Sequence, residues 1–188
     1  MTGCRLALLS VLAFGFLVDC AAADADAVLK RAQQAEDARS RLPYLLEYLK
    51  RRPYAADVRL EVVLDEFDLH HYRSAVRHGL ITLLGLRRHP VPAYEFVVGD
   101  RLMLLNYLGH SYLELNEPEK ALHYYRKVYH IDHSSPKYSW YNFACCYIKL
   151  GDNRRAAICY EKAKQWGLNP NVGEEVENAL RIHASLVH

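Results

Sequence analysis

The sequence has almost no excess of charge of either sign. Its 188 residues include 24 Lys and Arg against 22 Asp and Glu, a net charge of +2 at pH 7. Proteins that bind nucleic acids usually present a basic stripe, but here the basic residues occur only in short runs such as Lys50-Arg51-Arg52. The composition therefore argues against a nucleic-acid partner.

Motifs typical of several enzyme classes are also missing. The sequence contains no G-x-S-x-G, no Walker phosphate-binding loop and no G-x-G-x-x-G, which are signatures of hydrolases and nucleotide-binding enzymes. Glu174, Glu175 and Glu177 begin the predicted last helix, where acidic side chains favour the helix dipole, and we do not interpret them as a catalytic pair. We expect a protein that is not an enzyme and needs no cofactor.

The five cysteines include no pair at the C-x-x-C spacing that metal and redox sites commonly use. Cys145 and Cys146 are adjacent, and neighbouring residues on a helix diverge by about 100°, so their thiols cannot converge on one ion. A free cysteine commonly packs as a small apolar side chain, which favours a structural role. A disulfide to Cys159 and a metal site stay open as alternatives, although His130 and His133 have no third ligand at a suitable spacing. A redox or metal-handling protein is therefore the second functional hypothesis.

Long apolar runs are absent except near the N-terminus. Leu6–Val18 is 13 residues long and uncharged, which is too short for a bilayer span of about 20 residues. With Arg5 before it and alanines after it, the run predicts a secretory signal peptide over residues 1–23. Cleavage after Ala23 is one outcome. Lipidation of Cys20 is the other, because Leu17–Cys20 resembles a bacterial lipoprotein signal, although Asp19 stands where that motif has a small residue. Either outcome places the mature protein in the periplasm or cell envelope, and lipidation would tether it to the membrane.

The rest of the chain predicts only helices, because apolar residues recur at steps of three and four. Prolines at 43, 118 and 136 suit first turns of helices, and Gly151 and Gly167 suit positions just after helix ends. Pro90 and Pro92 mark the strongest internal break. The predicted helices are Ala27–Arg41, Pro43–Arg51, Ala55–Phe67, Tyr72–Leu86, Ala93–Leu115, Pro118–Ile131, Pro136–Leu150, Asn153–Trp166 and Val172–Val187.

Two of the helix pairs form an internal repeat with a period of 35 residues. Small residues at Gly109 and Ala121 would let the two helices of a pair approach closely, with Tyr112 and Tyr125 filling the space beside them. The matched positions are Leu105 and Trp140, Leu108 and Phe143, Gly109 and Ala144, Tyr112 and Tyr147, Ala121 and Ala156, Tyr125 and Tyr160, and Val128 and Ala163.

These residues resemble the pattern of the tetratricopeptide repeat family, with Pro136 and Pro170 closing the units slightly late. The resemblance implies an all-α, right-handed solenoid of stacked antiparallel helix pairs. It weakens upstream, where Ala75 aligns with Ala121 and Glu66 stands at the tyrosine position. The predicted organisation is a signal peptide (1–23), N-terminal helices (24–55), a degenerate repeat with an insert that lengthens the next helix (56–100), two clear repeats (101–170) and a capping helix (171–188).

The resemblance also implies a concave groove lined by the first helix of each repeat, in which a protein or peptide partner binds. Tyr107, Tyr138 and Tyr141 add aromatic side chains to this face, and tyrosine is a favoured anchor at interfaces. Asn142 suits a clamp for a terminal carboxylate, but the matching cations are missing, so we expect an apolar or aromatic groove. The predicted groove residues are Met103, Asn106, Tyr107, His110, Leu113, Glu114, Tyr138, Tyr141, Asn142, Cys145, Ile148 and Lys149.

The first functional hypothesis is thus an exported scaffold or adaptor that binds a protein or peptide partner. A carrier of a small ligand or lipid is a third, because apolar solenoid grooves can hold such molecules. The sequence does not predict an oligomeric state.

Overall fold

A computed structural model describes residues 24–90, 96–134 and 136–186, and throughout these ranges the regular secondary structure is helical. The all-α prediction is confirmed. The predicted signal peptide and Cys20 lie outside the described residues. The helices are α1 (residues 24–33), α2 (Ala38–Arg51), α3 (Ala56–Asp68), α4 (Tyr72–Arg88), α5 (Val98–Glu114), α6 (Pro118–Ile131), α7 (Pro136–Lys149), α8 (Asn153–Gln165) and α9 (Pro170–Leu186).

The helices pair and stack in chain order. The closest packing is within the pairs α3–α4, α5–α6 and α7–α8, while α2 packs on α3, α4 on α5 and α6 on α7. The final helix, α9, packs on both α7 and α8. Because each pair contacts only its neighbours, the architecture is an α-solenoid of helix pairs, as predicted. The assignment of α3–α4 as a degenerate repeat stays a prediction.

The predicted boundary between the two N-terminal helices is wrong. Helix α1 ends at residue 33 and α2 begins at Ala38. Pro43 therefore lies inside α2 rather than in a first turn. Asp37 sets this start because its Oδ1 accepts a hydrogen bond from the Ser40 backbone N–H at 2.8 Å. An N-cap of this kind stabilises a helix by about 1 kcal/mol, which helps to offset the backbone hydrogen bond that Pro43 cannot donate.

The insert lengthens α5 by less than predicted. The helix begins at Val98 and not at Ala93, since the Asp100 carboxylate accepts a hydrogen bond from the Val97 N–H at 3.0 Å and caps the first turn there. Residues 91–95 lie outside the described residues. The last helix starts at Pro170, two residues before the predicted Val172.

The predicted first-turn prolines and terminal glycines of the repeat region are confirmed. Pro118 and Pro136 are the first residues of α6 and α7. Gly151 and Gly167 have φ of 73° and 79°, in the left-handed region where a side chain is disfavoured.

The close approach predicted at Gly109 is present. A Cβ on this residue would lie 2.5 Å from Cε1 of Tyr125, whose side chain is fully buried. The alanines at repeat positions 121, 144, 156 and 163 are all fully buried as well. Small residues therefore set the distance between the paired helices, as the repeat pattern indicated.

Cys146 occupies a packing position that recurs along the array. Ser111 lies 35 residues earlier and Asp65 a further 46 residues earlier, and all three have 0% exposure. The buried carboxylate of Asp65 accepts a hydrogen bond from Nε of Arg41 at 2.9 Å, and Nη2 of Arg41 pairs with its other oxygen. This ion pair links α2 to α3. The thiol of Cys146 is thus a buried filler between helices.

Candidate functional site

The structure places all twelve predicted groove residues on α5 and α7, and we call eleven of them, leaving out Glu114, the groove face (Met103, Asn106, Tyr107, His110, Leu113, Tyr138, Tyr141, Asn142, Cys145, Ile148 and Lys149). It is less uniform than the repeat pattern implied. Met103, Tyr138 and Lys149 are exposed, Asn142 is buried, and the others are half-buried. Glu114, at the end of α5, is exposed too. The face therefore divides into a packed floor and a few open side chains.

The open apolar side chains are Met103 and Tyr138, which are 42% and 52% exposed. They stand 35 residues apart and thus at the same position of successive first helices. The Lys137 ammonium lies 5.2 Å from the centre of the Tyr138 ring, which leaves much of the ring accessible. Large apolar groups held open on rigid helices are suitable anchors for a partner.

Tyr107 belongs to the floor. Its ring meets the Phe67 ring of α3 edge-on, with centroids 5.1 Å apart, and burial raises the pKa of the Tyr107 hydroxyl. Phe67 was not among the predicted groove residues, although it lies at the position of α3 that corresponds to Leu113 in α5 when Ala75 is aligned with Ala121. Tyr107 and Phe67 therefore fasten α3 to α5.

His110 also belongs to the floor. Its Nδ1 lies 2.8 Å from the hydroxyl of Tyr125, and the two rings pack edge-on. Burial lowers the pKa of His110 and raises that of Tyr125. A neutral imidazole can then accept a hydrogen bond from the tyrosine hydroxyl at Nδ1, and this bond joins α5 to α6 below the groove face.

Tyr141 and Cys145 lie one turn apart on α7, and each side chain affects the pKa of the other. Burial raises the pKa of the Cys145 thiol to about 11 and also raises the pKa of Tyr141, and the negative charge of Glu175 on α9 acts in the same direction on both. The last helix therefore borders this end of the groove face.

The interpretation of the glutamates of α9 as first-turn residues is wrong, because α9 begins at Pro170 and has no acidic residue in its first turn. Glu177 instead accepts a hydrogen bond from the Tyr160 hydroxyl at 3.3 Å. The positions of the glutamates in the sequence did not indicate these contacts, because the contacts depend on how α9 packs against α7 and α8.

Cys145, Cys146 and Cys159 are free thiols, so the alternative disulfide to Cys159 is not formed. Burial raises the pKa of Cys146 to about 12 and also raises the pKa of Cys159. The thiolate is the nucleophile and the metal ligand, and burial disfavours it at all three positions. Within the described ranges no three His, Cys, Asp or Glu side chains are placed to hold a metal ion.

The burial of His78 and the partial burial of His110 predict a loss of stability in acid. Burial lowers the pKa of His110, and burial followed by the charges of Arg59 and Arg77 lowers that of His78. Below the unfolded-state pKa of about 6.5 the unfolded chain binds more protons than the folded chain, so the free energy of unfolding falls as pH drops through that value.

Urea unfolding at pH 7.5 and 5.5 should therefore show a smaller pH-dependent loss in the double variant His78→Gln, His110→Gln than in the unaltered protein. His123→Gln is the matched control, because His123 is exposed on α6. An unchanged pH dependence in the double variant would show that these two side chains are not held neutral.

No helix within the described ranges is both long enough and apolar enough to span a bilayer.

The four helices α5 to α8 carry the small-residue contacts, the aromatic packing and the groove face. Two segments of the chain match the family model of the tetratricopeptide repeat. They are residues 104–132, which run from α5 through α6, and residues 138–166, which run from α7 through α8. Both lie within the predicted repeat region 101–170. None of the curated proteins compared with the chain matches it. Repeats of this kind commonly mediate protein–protein interaction.

Proposed function

We propose that this protein is an exported, non-enzymatic adaptor that binds a protein or peptide partner through the groove face of its two tetratricopeptide repeats. The observation that carries the proposal is the pair Met103 and Tyr138, two large apolar side chains exposed at the same position of successive repeats. Anchors that repeat along an array suit an extended partner that lies across several helices.

The packed floor supports this assignment. Tyr107 packs on the Phe67 ring, His110 is hydrogen-bonded to Tyr125, and Tyr141 packs against the core. These contacts hold the first helices in place, and preorganised surfaces bind more tightly because less freedom is lost on association. We therefore assign binding mainly to the open positions and positioning to the floor.

Export rests on the sequence of residues 1–23, with its charged start, short apolar run and small residues before position 24. An envelope location suits an adaptor that assembles other envelope proteins. Lipidation of Cys20 would add a membrane tether and so raise the local concentration of the adaptor near membrane partners.

Capture of partners from the native envelope fraction tests the proposal. We expect the double variant Met103→Ser, Tyr138→Ser to lose the proteins that the unaltered chain retains, while helicity measured by circular dichroism is unchanged. The matched control is Ile158→Ser, Trp166→Ser, which removes side chains of 51% and 60% exposure from α8 and its C-cap. Equal capture by both variants would show that the groove face is not the binding surface.

A further inference from the structure

A cleft opens on the side of the array formed by the second helices of the pairs. It lies between α4 and α6, which both pack on α5, and has a volume of about 600 Å³. Its walls include Leu80, Leu84 and Ile131, which are 39%, 45% and 40% exposed, and the buried Leu105 contributes to its lining. None of these residues belongs to the groove face.

The cleft is open because Leu105 stands where the next repeat has Trp140. At that next position the Trp140 ring packs edge-on against Tyr129, with centroids 5.3 Å apart, and the Lys162 ammonium lies 4.2 Å from the ring centre. In the second repeat a large aromatic side chain, with a cation above it, thus fills this position. The first repeat has Leu105 in place of that aromatic. It keeps the cation, because Lys127 is the counterpart of Lys162.

The rim of the cleft is positive. Arg87, Arg101 and Lys127 all line it, all are exposed, and none of them forms an ion pair with another of the described residues. The lining contains no Asp or Glu, and α4 has no acidic residue along its whole length. Apolar walls with cations at the rim are complementary to an apolar segment flanked by carboxylates.

We propose that this cleft binds an acidic amphipathic helix of a partner protein, which inserts a tryptophan or another large apolar side chain above Leu105. The wall residues run from Leu80 to Arg87 on α4, and the seven steps between them cover about 10 Å at a rise of 1.5 Å per residue, which matches two turns of a docked helix. Leu105, which contributes to the lining, is buried while Leu80, Leu84 and Ile131 are exposed around it, so a projecting side chain reaches Leu105 better than a flat bilayer surface does. The adaptor would then bind two partners, one on each side of the array.

The probe is a fluorescein-labelled, glutamate-rich 16-residue peptide with Leu, Trp and Leu at i, i+3 and i+7, followed by fluorescence anisotropy with the full chain. The double variant Arg87→Glu, Lys127→Glu should bind the peptide about tenfold more weakly or worse, since each change replaces attraction to the peptide glutamates by repulsion. The variant Leu105→Trp should fill the cleft and prevent peptide binding, because the next repeat has a tryptophan, Trp140, at the equivalent position. The matched control, Arg73→Glu, Arg154→Glu, makes the same change of charge at exposed positions outside the cleft and should leave binding unchanged.

Several results would overturn the proposal. They are equal affinity for all four proteins, equal binding of the same peptide with lysine in place of glutamate, or sedimentation with phosphatidylglycerol vesicles in the absence of peptide binding. A dimer that dissociates in Leu105→Trp would assign the cleft to a second copy. Peptide binding that appears only after residues 91–95 are replaced by a Gly-Ser linker would assign it to the chain itself. If Leu105→Trp does not fold, the difference in peptide affinity between the charge-reversal variant in the cleft and its control outside the cleft still tests the proposal.

Discussion

Replacing Gly109 by alanine should lower the free energy of unfolding by about 2 kcal/mol, as the balance of an overpacking cost of about 1–3 kcal/mol, the loss of a hydrogen bond and a gain of up to about 1 kcal/mol in helix propensity. The new Cβ would lie 2.5 Å from Cε1 of Tyr125 and 2.8 Å from two further ring atoms. That ring cannot swing away freely, because it is fully buried and its hydroxyl is bonded to His110.

Gly85→Ala is the matched control. It is a glycine inside α4 whose added Cβ would meet nothing within 4 Å, so propensity alone should raise stability by up to about 1 kcal/mol. Urea denaturation of both variants measures the difference. If both glycine replacements stabilise the chain, the contact between α5 and Tyr125 is looser than the structure shows.

The second large effect is expected at the ion pair between α2 and α3. Arg41→Met should lower the free energy of unfolding by about 3 kcal/mol, because it leaves the carboxylate of Asp65, which has 0% exposure, without its partner. Asp65→Ala should cost less, since the side chain of Arg41 is 37% exposed and keeps contact with water.

Combining the two changes should recover much of the stability lost in Arg41→Met, since apolar side chains often replace a buried ion pair with little cost. A double-mutant cycle by urea denaturation gives the coupling energy directly. Strictly additive losses would mean that the two groups act independently, and a loss below about 1 kcal/mol in Arg41→Met would mean that water reaches the carboxylate.

Local pattern was sufficient to predict the repeat core. Gly109, Ala121 and Tyr125 recur as Ala144, Ala156 and Tyr160 at one spacing, and a helix pair that repeats its small and aromatic positions must stack on its neighbour in the same way. The helix starts at Pro118 and Pro136 were predictable for a local reason too, because proline suits the first turn. Pro43 misled the same reasoning, since the Asp37 cap had the stronger influence on where α2 begins.

The packing partner of each residue that recurs in the repeat was harder to predict. Tyr125 and Tyr160 are equivalent in the repeat, but only Tyr125 packs on the glycine of its own first helix. The hydroxyl of Tyr160 instead lies where a Cβ on Gly173 of α9 would come within 2.3 Å. The contacts of Tyr160 depend on the angle at which α9 meets α8, and no residue spacing records that angle.

The sequence by itself determined the helix content and the two repeats, because these follow from periodicity and side-chain size along one chain segment. Only the tertiary structure decided which groove residues stay open, since the exposure of Met103 and the burial of Asn142 depend on neighbouring helices. It also decided that Cys146 and Cys159 are buried packing residues and that a cleft remains above Leu105, because a cavity is defined by side chains from separate helices and not by any one of them.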